Sequence, residues 1–253
     1  AAGSADAGYP EAGAAVTRAI TLANAPGDLK DFYLILLREF DPKLADILPK
    51  VDRKKIRGMC SMFGLWGNRT QGQQLFAGRN LDWLENTGIN KYKAATVFTP
   101  NDGAIPHVVT GYVGLFGALL GMSAEGLTVH EANLEENEIT FGGFAWLLRL
   151  RYIMENAHNN TEAKALWEAT NNTVGFNHMV TSAPDAAAFA QGHYDGPGVA
   201  VAMETMFNYT AYFASMDPRE EHATYQSSPS APPVQIGFPL PDALWRTNHG
   251  YDP

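Results

Sequence analysis

The sequence is almost without cysteine. Cys60 is the single thiol in 253 residues, which excludes an intrachain disulfide and leaves stability to core packing. No run of 18 or more apolar residues occurs, so no transmembrane segment is expected. The apolar stretch FYLILL, residues 32–37, is too short and is flanked by charge. Positive charge is scarce: 18 Lys and Arg stand against 27 Asp and Glu, for a net charge of −9 and a pI of about 5.2. A chain with no basic stripe cannot neutralise phosphates, so no nucleic-acid partner is expected. The one basic cluster, residues 50–57, reads as a solvated segment or a helix end whose dipole favours cations. The histidines show no metal-ligand spacing, and no metal or cofactor is expected. The opening AAGSADAGYPEAG has neither the basic start nor the apolar centre of a signal peptide and does not begin with Met, as a chain would look after loss of a leader.

What is present alternates in character. Residues 15–48 carry apolar residues at helical spacing, interrupted at Pro26-Gly27-Asp28, with Asp28 a candidate N-cap. From residue 59 the period shortens towards two. Strands are expected over 59–66, 75–83, 94–100 and 107–114, the last two separated by a Pro100–Gly103 turn. LLGMSAEGLTVHEANL, residues 119–134, reads as strand, turn at Glu125-Gly126, strand. Helical period returns over 144–157 and 161–169, with Thr161 and Glu162 at a helix start. FNHMVTSAPDAAAFAQ (176–191) and VAVAMETMF (199–207) read as strands, residues 217–241 as a Pro- and Ser-rich loop, and ALWRTNHGYDP as a strand entering a polar turn. Two antiparallel sheets between helical layers satisfy this order.

A lone cysteine is either a small buried hydrophobe or a nucleophile. Arg79 and Asp82, in GRNLDW, follow Cys60 by nineteen and twenty-two residues. In adjacent antiparallel strands that spacing returns them beside the thiol. Arg79 would favour the thiolate, and Asp82 could orient an amine. A thiol nucleophile also needs a base. Seven histidines are present, and none is singled out by sequence. The α-amino group of Cys60 itself, freed by a cut before it, would serve with a pKa near 8. Both a Cys-His hydrolase and a self-processing one remain open at this level, as does a non-catalytic lipid-binding or structural protein.

Cys60-Ser61 followed by Gly78-Arg79-Asn80-Leu81-Asp82-Trp83, then GMSAEGLTVHEAN (121–133), then WRTNHGYDP (245–253), resembles the cysteine-type N-terminal nucleophile hydrolases. Within them the likeness is to the isopenicillin-N acyltransferase, acid ceramidase, N-acylethanolamine acid amidase and bile-salt hydrolase group. The resemblance implies a four-layer αββα sandwich, α+β in class. It implies self-cleavage between Met59 and Cys60. Residues 1–59 would then be a mostly helical light chain packed on a 60–253 catalytic core. It further implies an amide hydrolase or acyltransferase that acts on a small N-acyl substrate, including a lipid amide, through a Cys60 thioester.

In that scheme Arg79 lines the site, Asp82 holds the amine, Asn248 supports the oxyanion and the amine, and Asn133 is a second Asn near the pocket. Ser123 stands where the family carries Asn, as an oxyanion-donor candidate. The family continues past the Thr-Asn-His segment and supplies a further Arg; a second cut after Pro253, a further C-terminal polypeptide carrying the partner strands, and a truncated or divergent form all stay open. The sequons at Asn68, Asn159, Asn171 and Asn208 point to glycosylation and to a secreted or lysosomal protein. His107, His130, His178 and His249 are expected to be structural. Trp66, Trp83, Phe144 and Trp146 are expected in the core, some lining an acyl pocket.

Overall fold

The computed structural model describes residues 59–82, 89–134, 140 and 142–252. The helices expected over 15–48, Asp28, Trp83 and the 1–58 part of the expected light chain lie outside these residues.

The first described strand, β1 (Met59–Leu65), alternates strictly: Cys60, Met62 and Gly64 are buried while Met59, Ser61 and Phe63 are exposed. That is the period-two pattern of a strand with one face on a core. It pairs antiparallel with β2 (Phe76–Asp82), Met59 opposite Asp82 and Leu65 opposite Phe76. On its other edge it pairs with β12 (Ala243–Arg246). These three strands form a small sheet in the order β12-β1-β2.

The second sheet has seven strands in chain order: β3 (Lys93–Phe98), β4 (His107–Tyr112), β5 (Leu120–Ser123), β6 (Leu127–Asn133), β7 (Phe176–Ser182), β8 (Ala200–Met206) and β9 (Tyr209–Phe213). All pairs are antiparallel. The β5–β6 turn closes at Gly126, whose φ of +81° suits glycine. A separate short hairpin joins β10 (Thr224–Tyr225) to β11 (Val234–Gln235).

Strands β7 and β8 are buried almost end to end because both faces of the large sheet are covered. One face carries α1 (Trp146–Asn156) and α2 (Asn160–Glu168), packed through Trp146, Leu150, Ile153, Met154 and Trp167. The other face meets the small sheet through Cys60, Met62, Ala132, Met179, Ala200, Ala202 and Leu244. Small residues let the sheets approach closely. A Cβ on Gly64 would come within 3.2 Å of both Ala200 Cβ and Thr181 Cγ2. The architecture is therefore α+β: two antiparallel sheets face to face, with helices on the outer face of the larger.

The sequence expectation fails at 176–191. Only Phe176–Ser182 is strand, and Ala183–Ala190 forms α3. The Ser182 hydroxyl accepts from Asp185 N at 3.2 Å, an N-cap followed by Pro184 in the first turn. Apolar continuity through AAAFA concealed that signal. Likewise α2 begins at an Asn159 cap that accepts from Glu162 N at 2.9 Å, two residues before the expected Thr161 start.

Candidate active site

Cys60 lies on the inward face of β1, 6% exposed, opposite Leu81. Arg79 lies two residues back on β2, opposite Met62, so both side chains share the face towards the large sheet. On the other edge the ladder with β12 ends at Met62–Arg246. Continued in the same register, it sets Asn248 opposite Cys60. Cys60 N donates to Asn248 Oδ1 at 2.5 Å.

The floor of the site is an interruption in the large sheet. Strand β5 pairs with β6 only from Thr128 to His130, whereas β6 runs on to Asn133 with β7 alone. The vacated edge presents the carbonyls of Glu131 and Asn133, two residues apart and directed to one side. Arg79 Nε donates to Glu131 O at 2.7 Å, and Asn248 Nδ2 donates to Asn133 O at 2.5 Å. Both carbonyls that β5 leaves unpaired are thus satisfied by side chains of the small sheet and the segment beyond it, as buried backbone groups require. Arg79 Nη2 also pairs with the Glu131 carboxylate, both side chains nearly buried, and lies 3.4 Å from Cys60 Sγ. A backbone hydrogen bond from Asn133 reaches the same sulfur.

The thiol is held protonated. Burial, and then the Glu131 charge, push its pKa up to about 11; Arg79 and the Asn133 amide pull the other way, and Asp82 adds to the rise. Burial also lifts the Glu131 carboxyl above the ordinary range, with Arg79 opposing. Burial, then Arg79, lower His130 to about 3, which leaves a neutral imidazole whose Nε2 meets Thr128 Oγ1 at 2.8 Å.

Other expected site residues fall in different places. Asp82 stands opposite Met59 on the outer, exposed face of the small sheet and accepts from Asn80 Nδ2 at 2.8 Å. It adjoins the Met59–Cys60 peptide and does not share the face of the sulfur. Ser123 is not brought to the thiol. Its hydroxyl accepts from Leu127 N at 3.2 Å, at the end of β6 remote from Asn133. Six strand steps separate those ends, roughly 20 Å. Its side chain closes the β5–β6 turn, because the apolar register of β5 seats it there.

The histidines are occupied elsewhere. His107 Nδ1 lies 3.0 Å from Ile105 O. His178 sits among Trp146, Trp167 and Phe176, its pKa lowered by burial and then by Arg149. The His249 ring packs on Tyr225. Among the described residues no imidazole is hydrogen-bonded to the sulfur. Trp66 and Trp146 are core, and Phe144 is half-buried against Tyr152. Of the sequon asparagines, Asn68, Asn171 and Asn208 are exposed. Asn159 caps α2, and its Nδ2, the atom a glycan would take, donates to Glu162 Oε1 at 3.2 Å.

Sequence reasoning passed over Glu131. The one signal for it is a lone carboxylate within LTVHEANL. It also passed over Asn177 and Glu204, buried polar residues of β7 and β8 whose side chains reach the segment carrying Asn248.

No protein-family description matches the chain, and no curated protein matches it. Solved structures do. A Caenorhabditis elegans N-acylethanolamine-hydrolyzing acid amidase ortholog aligns at 14% identity over 61% of this chain and 63% of its own, with a TM-score of 0.47. A mutant conjugated bile acid hydrolase from Clostridium perfringens aligns at 11% identity over 71% and 65%, TM-score 0.42. A second variant of that hydrolase gives 9%, 72%, 57% and 0.30. The chain spans about three fifths of the length of these structures. Likenesses this distant concern the chain path, and the functional argument rests on the site.

Proposed function

We propose that the protein is a self-processing amide hydrolase or acyltransferase that cuts its own Met59–Cys60 bond and then works through a thioester on Cys60. The observation that carries this reading is the separate handling of the two heteroatoms of one residue. The nitrogen of Cys60 is held by Asn248, while its sulfur faces Arg79 and the Asn133 amide. A cysteine serving only as a hydrophobe needs neither a guanidinium nor an amide at its sulfur.

In the uncut chain the nitrogen is an amide and the thiol is neutral. Maturation begins when the sulfur adds to the Met59 carbonyl carbon. The C–N bond then breaks, the thiol proton passes to the departing nitrogen, and Met59 is left as a thioester on Cys60. Water hydrolyses the thioester, which frees the Met59 carboxylate and returns the Cys60 thiol beside the amine formed in the shift. An ammonium beside the sulfur lowers the thiol pKa, reversing part of the rise imposed by burial. In turnover that amine takes the thiol proton, and the thiolate attacks a substrate amide. The same proton is handed to the leaving amine, and water or an acceptor releases the acyl group. In this reading Asp82, opposite Met59, holds the new ammonium from the outer face of the small sheet. Asn248 orients the nitrogen through Oδ1 while its Nδ2 is anchored on Asn133 O. Arg79 stabilises the negative sulfur, and Glu131 fixes Arg79.

The substrate in this reading is a small N-acyl compound, including lipid amides. Residues 1–59 remain as a light chain, and the setting is secreted or lysosomal. The test is the mass of the polypeptides in the native protein. Wild type should give two chains split between Met59 and Cys60, and Cys60→Ala a single uncut chain. An intact bond in active protein overturns the mechanism, as does normal maturation of Cys60→Ala.

A further inference from the structure

Asn248 makes both of its hydrogen bonds from a segment that belongs to no strand. Residues 247–252 follow β12, and the described ladder with β1 has already ended. The side-chain amide of a free loop would swing. Here the loop is gripped from below by one transverse row of the large sheet. The register aligns Ala132 of β6, Asn177 of β7, Glu204 of β8 and Ala211 of β9, side by side on the face towards the small sheet. The two outer members are alanines, which leaves room for a chain to lie across the row. The two inner members are polar and almost fully buried, Asn177 at 0% and Glu204 at 3% exposed.

Their contacts follow one another along the segment. Asn177 Nδ2 donates to Thr247 O at 2.9 Å and to His249 O at 2.7 Å, the residues on either side of Asn248. Glu204 Oε2 accepts from Tyr251 N at 2.6 Å and Asp252 N at 3.2 Å. Gly250 passes directly over the carboxylate: a Cβ there would lie 3.1 Å from Glu204 Oε1. The grips are made to backbone, so they fix the path of the segment and leave the Asn248 side chain to its own partners.

We infer that Asn177 and Glu204 form a cradle that aims Asn248 at the nitrogen of residue 60, and that they are positioning residues for the chemistry there. This rests on the reading given under Proposed function for its consequence in rate, though not for the geometry. A donor pair and an acceptor pair on neighbouring strands suit a segment that offers carbonyls first and amides second. A buried carboxylate bonded by two backbone amides costs more to break than a neutral contact.

Two measurements test the inference. In the uncut Cys60→Ala background, hydrogen exchange of the residue 60 amide reports on the bond to Asn248 without any catalysis. Asn177→Ala and Glu204→Gln should each speed that exchange towards the rate seen in Asn248→Ala, and neither should add to Asn248→Ala. With the thiol present, each should slow self-cleavage on the order of tenfold to 10²-fold, the cost of a small misplacement, again without adding to Asn248→Ala. Asn172→Ala is the control. Asn172 is equally a buried asparagine that holds backbone carbonyls, but those of Met206 and Tyr209; the Tyr209 hydroxyl meets Asp252, at the end of the segment far from Asn248. It should lower the melting temperature and leave residue 60 exchange unchanged.

The cradle is overturned if Asn177→Ala and Glu204→Gln leave exchange and rate at wild-type values, if their losses multiply with that of Asn248→Ala, or if Asn172→Ala raises residue 60 exchange equally. Exchange coupling in a protein whose thiol form never cuts itself would uphold the cradle and sink the catalytic reading. Self-cleavage without exchange coupling would do the reverse.

Discussion

Among the described residues two buried Arg–Glu pairs occur, and their surroundings differ. Arg79 and Glu131 have side chains 4% and 5% exposed; Arg246 and Glu220, 2.8 Å apart, have side chains 0% and 3% exposed. Arg246 lies between two rings, 4.6 Å from the centroid of Phe213 and 4.3 Å from that of Tyr251, and faces no reactive atom. Arg79 faces a sulfur and a free sheet edge. Burial of an ion pair therefore does not mark a functional site. Each pair costs desolvation that its Coulomb attraction roughly repays, and what distinguishes the pairs is the atom left over beside the guanidinium. Arg246 locks the base of the segment that carries Asn248; Arg79 sets the charge at the thiol.

The largest expected effect would come from halving each pair. Arg246→Met leaves Glu220 buried without its cation, and the expected loss is about 3–5 kcal/mol of folding stability by chemical denaturation. Arg79→Met should cost a similar amount, and it should also abolish modification of Cys60 by an acylating probe at neutral pH. Replacing both partners separates the two sites. Arg246→Met with Glu220→Leu should recover most of the stability and keep the thiol reactive. Arg79→Met with Glu131→Leu should recover stability and leave the thiol inert. If the second double variant stays reactive, the distinction between the pairs is wrong.

A titration sharpens the same contrast. In uncut protein the rate of Cys60 alkylation should keep rising past pH 9 towards about 11, where the buried thiol ionises. Arg79→Met should move that midpoint higher, since the guanidinium lowers it; Arg246→Met should not move it. Because the folded pKa lies above the unfolded one, the thiol contributes stability below pH 9 that is lost as pH rises from 9 towards 11.

The acid side runs through His130, whose folded value of about 3 lies below the ordinary 6.5. The unfolded chain takes up that proton first, so stability falls as pH drops from about 6.5 towards 3. His130→Gln should flatten this limb in a melting-temperature profile, provided the Thr128 contact is kept. The smallest effect is expected from a pair on the surface of α2. Lys164→Ala removes the i,i+4 pair with Glu168 and should change stability by about 0.3–0.5 kcal/mol.

The approach of Arg79 to Cys60 was legible because its motif is local. Cys60 and Arg79 share one hairpin, and their separation along the chain already returns one beside the other. Glu131 was not legible. Its role depends on β5 ending one pair short of it, which no local pattern encodes. Asn177 and Glu204 were invisible for a related reason: each is one of several polar residues in its strand, and the target of each lies tens of residues further along. Ser123 misled because its likeness to a family position is a property of aligned text, while its hydroxyl is committed to a turn. The helix at Ala183–Ala190 was missed because its apolar run was read as strand, although alanine favours helix and Ser182 caps it.

By itself the sequence determined the alternating period of β1, the lack of a second cysteine and of any apolar run of 18 residues, and the one thiol with a charged hairpin partner. These follow from neighbours a few residues apart, where side-chain size and backbone preference act directly. The tertiary structure alone decided that β6 outruns β5, that Asn248 falls in register with Cys60 across an interrupted ladder, and that one buried arginine faces sulfur while the other faces rings. Those outcomes depend on which strand lies beside which, and that is settled by packing the two sheets on a shared core.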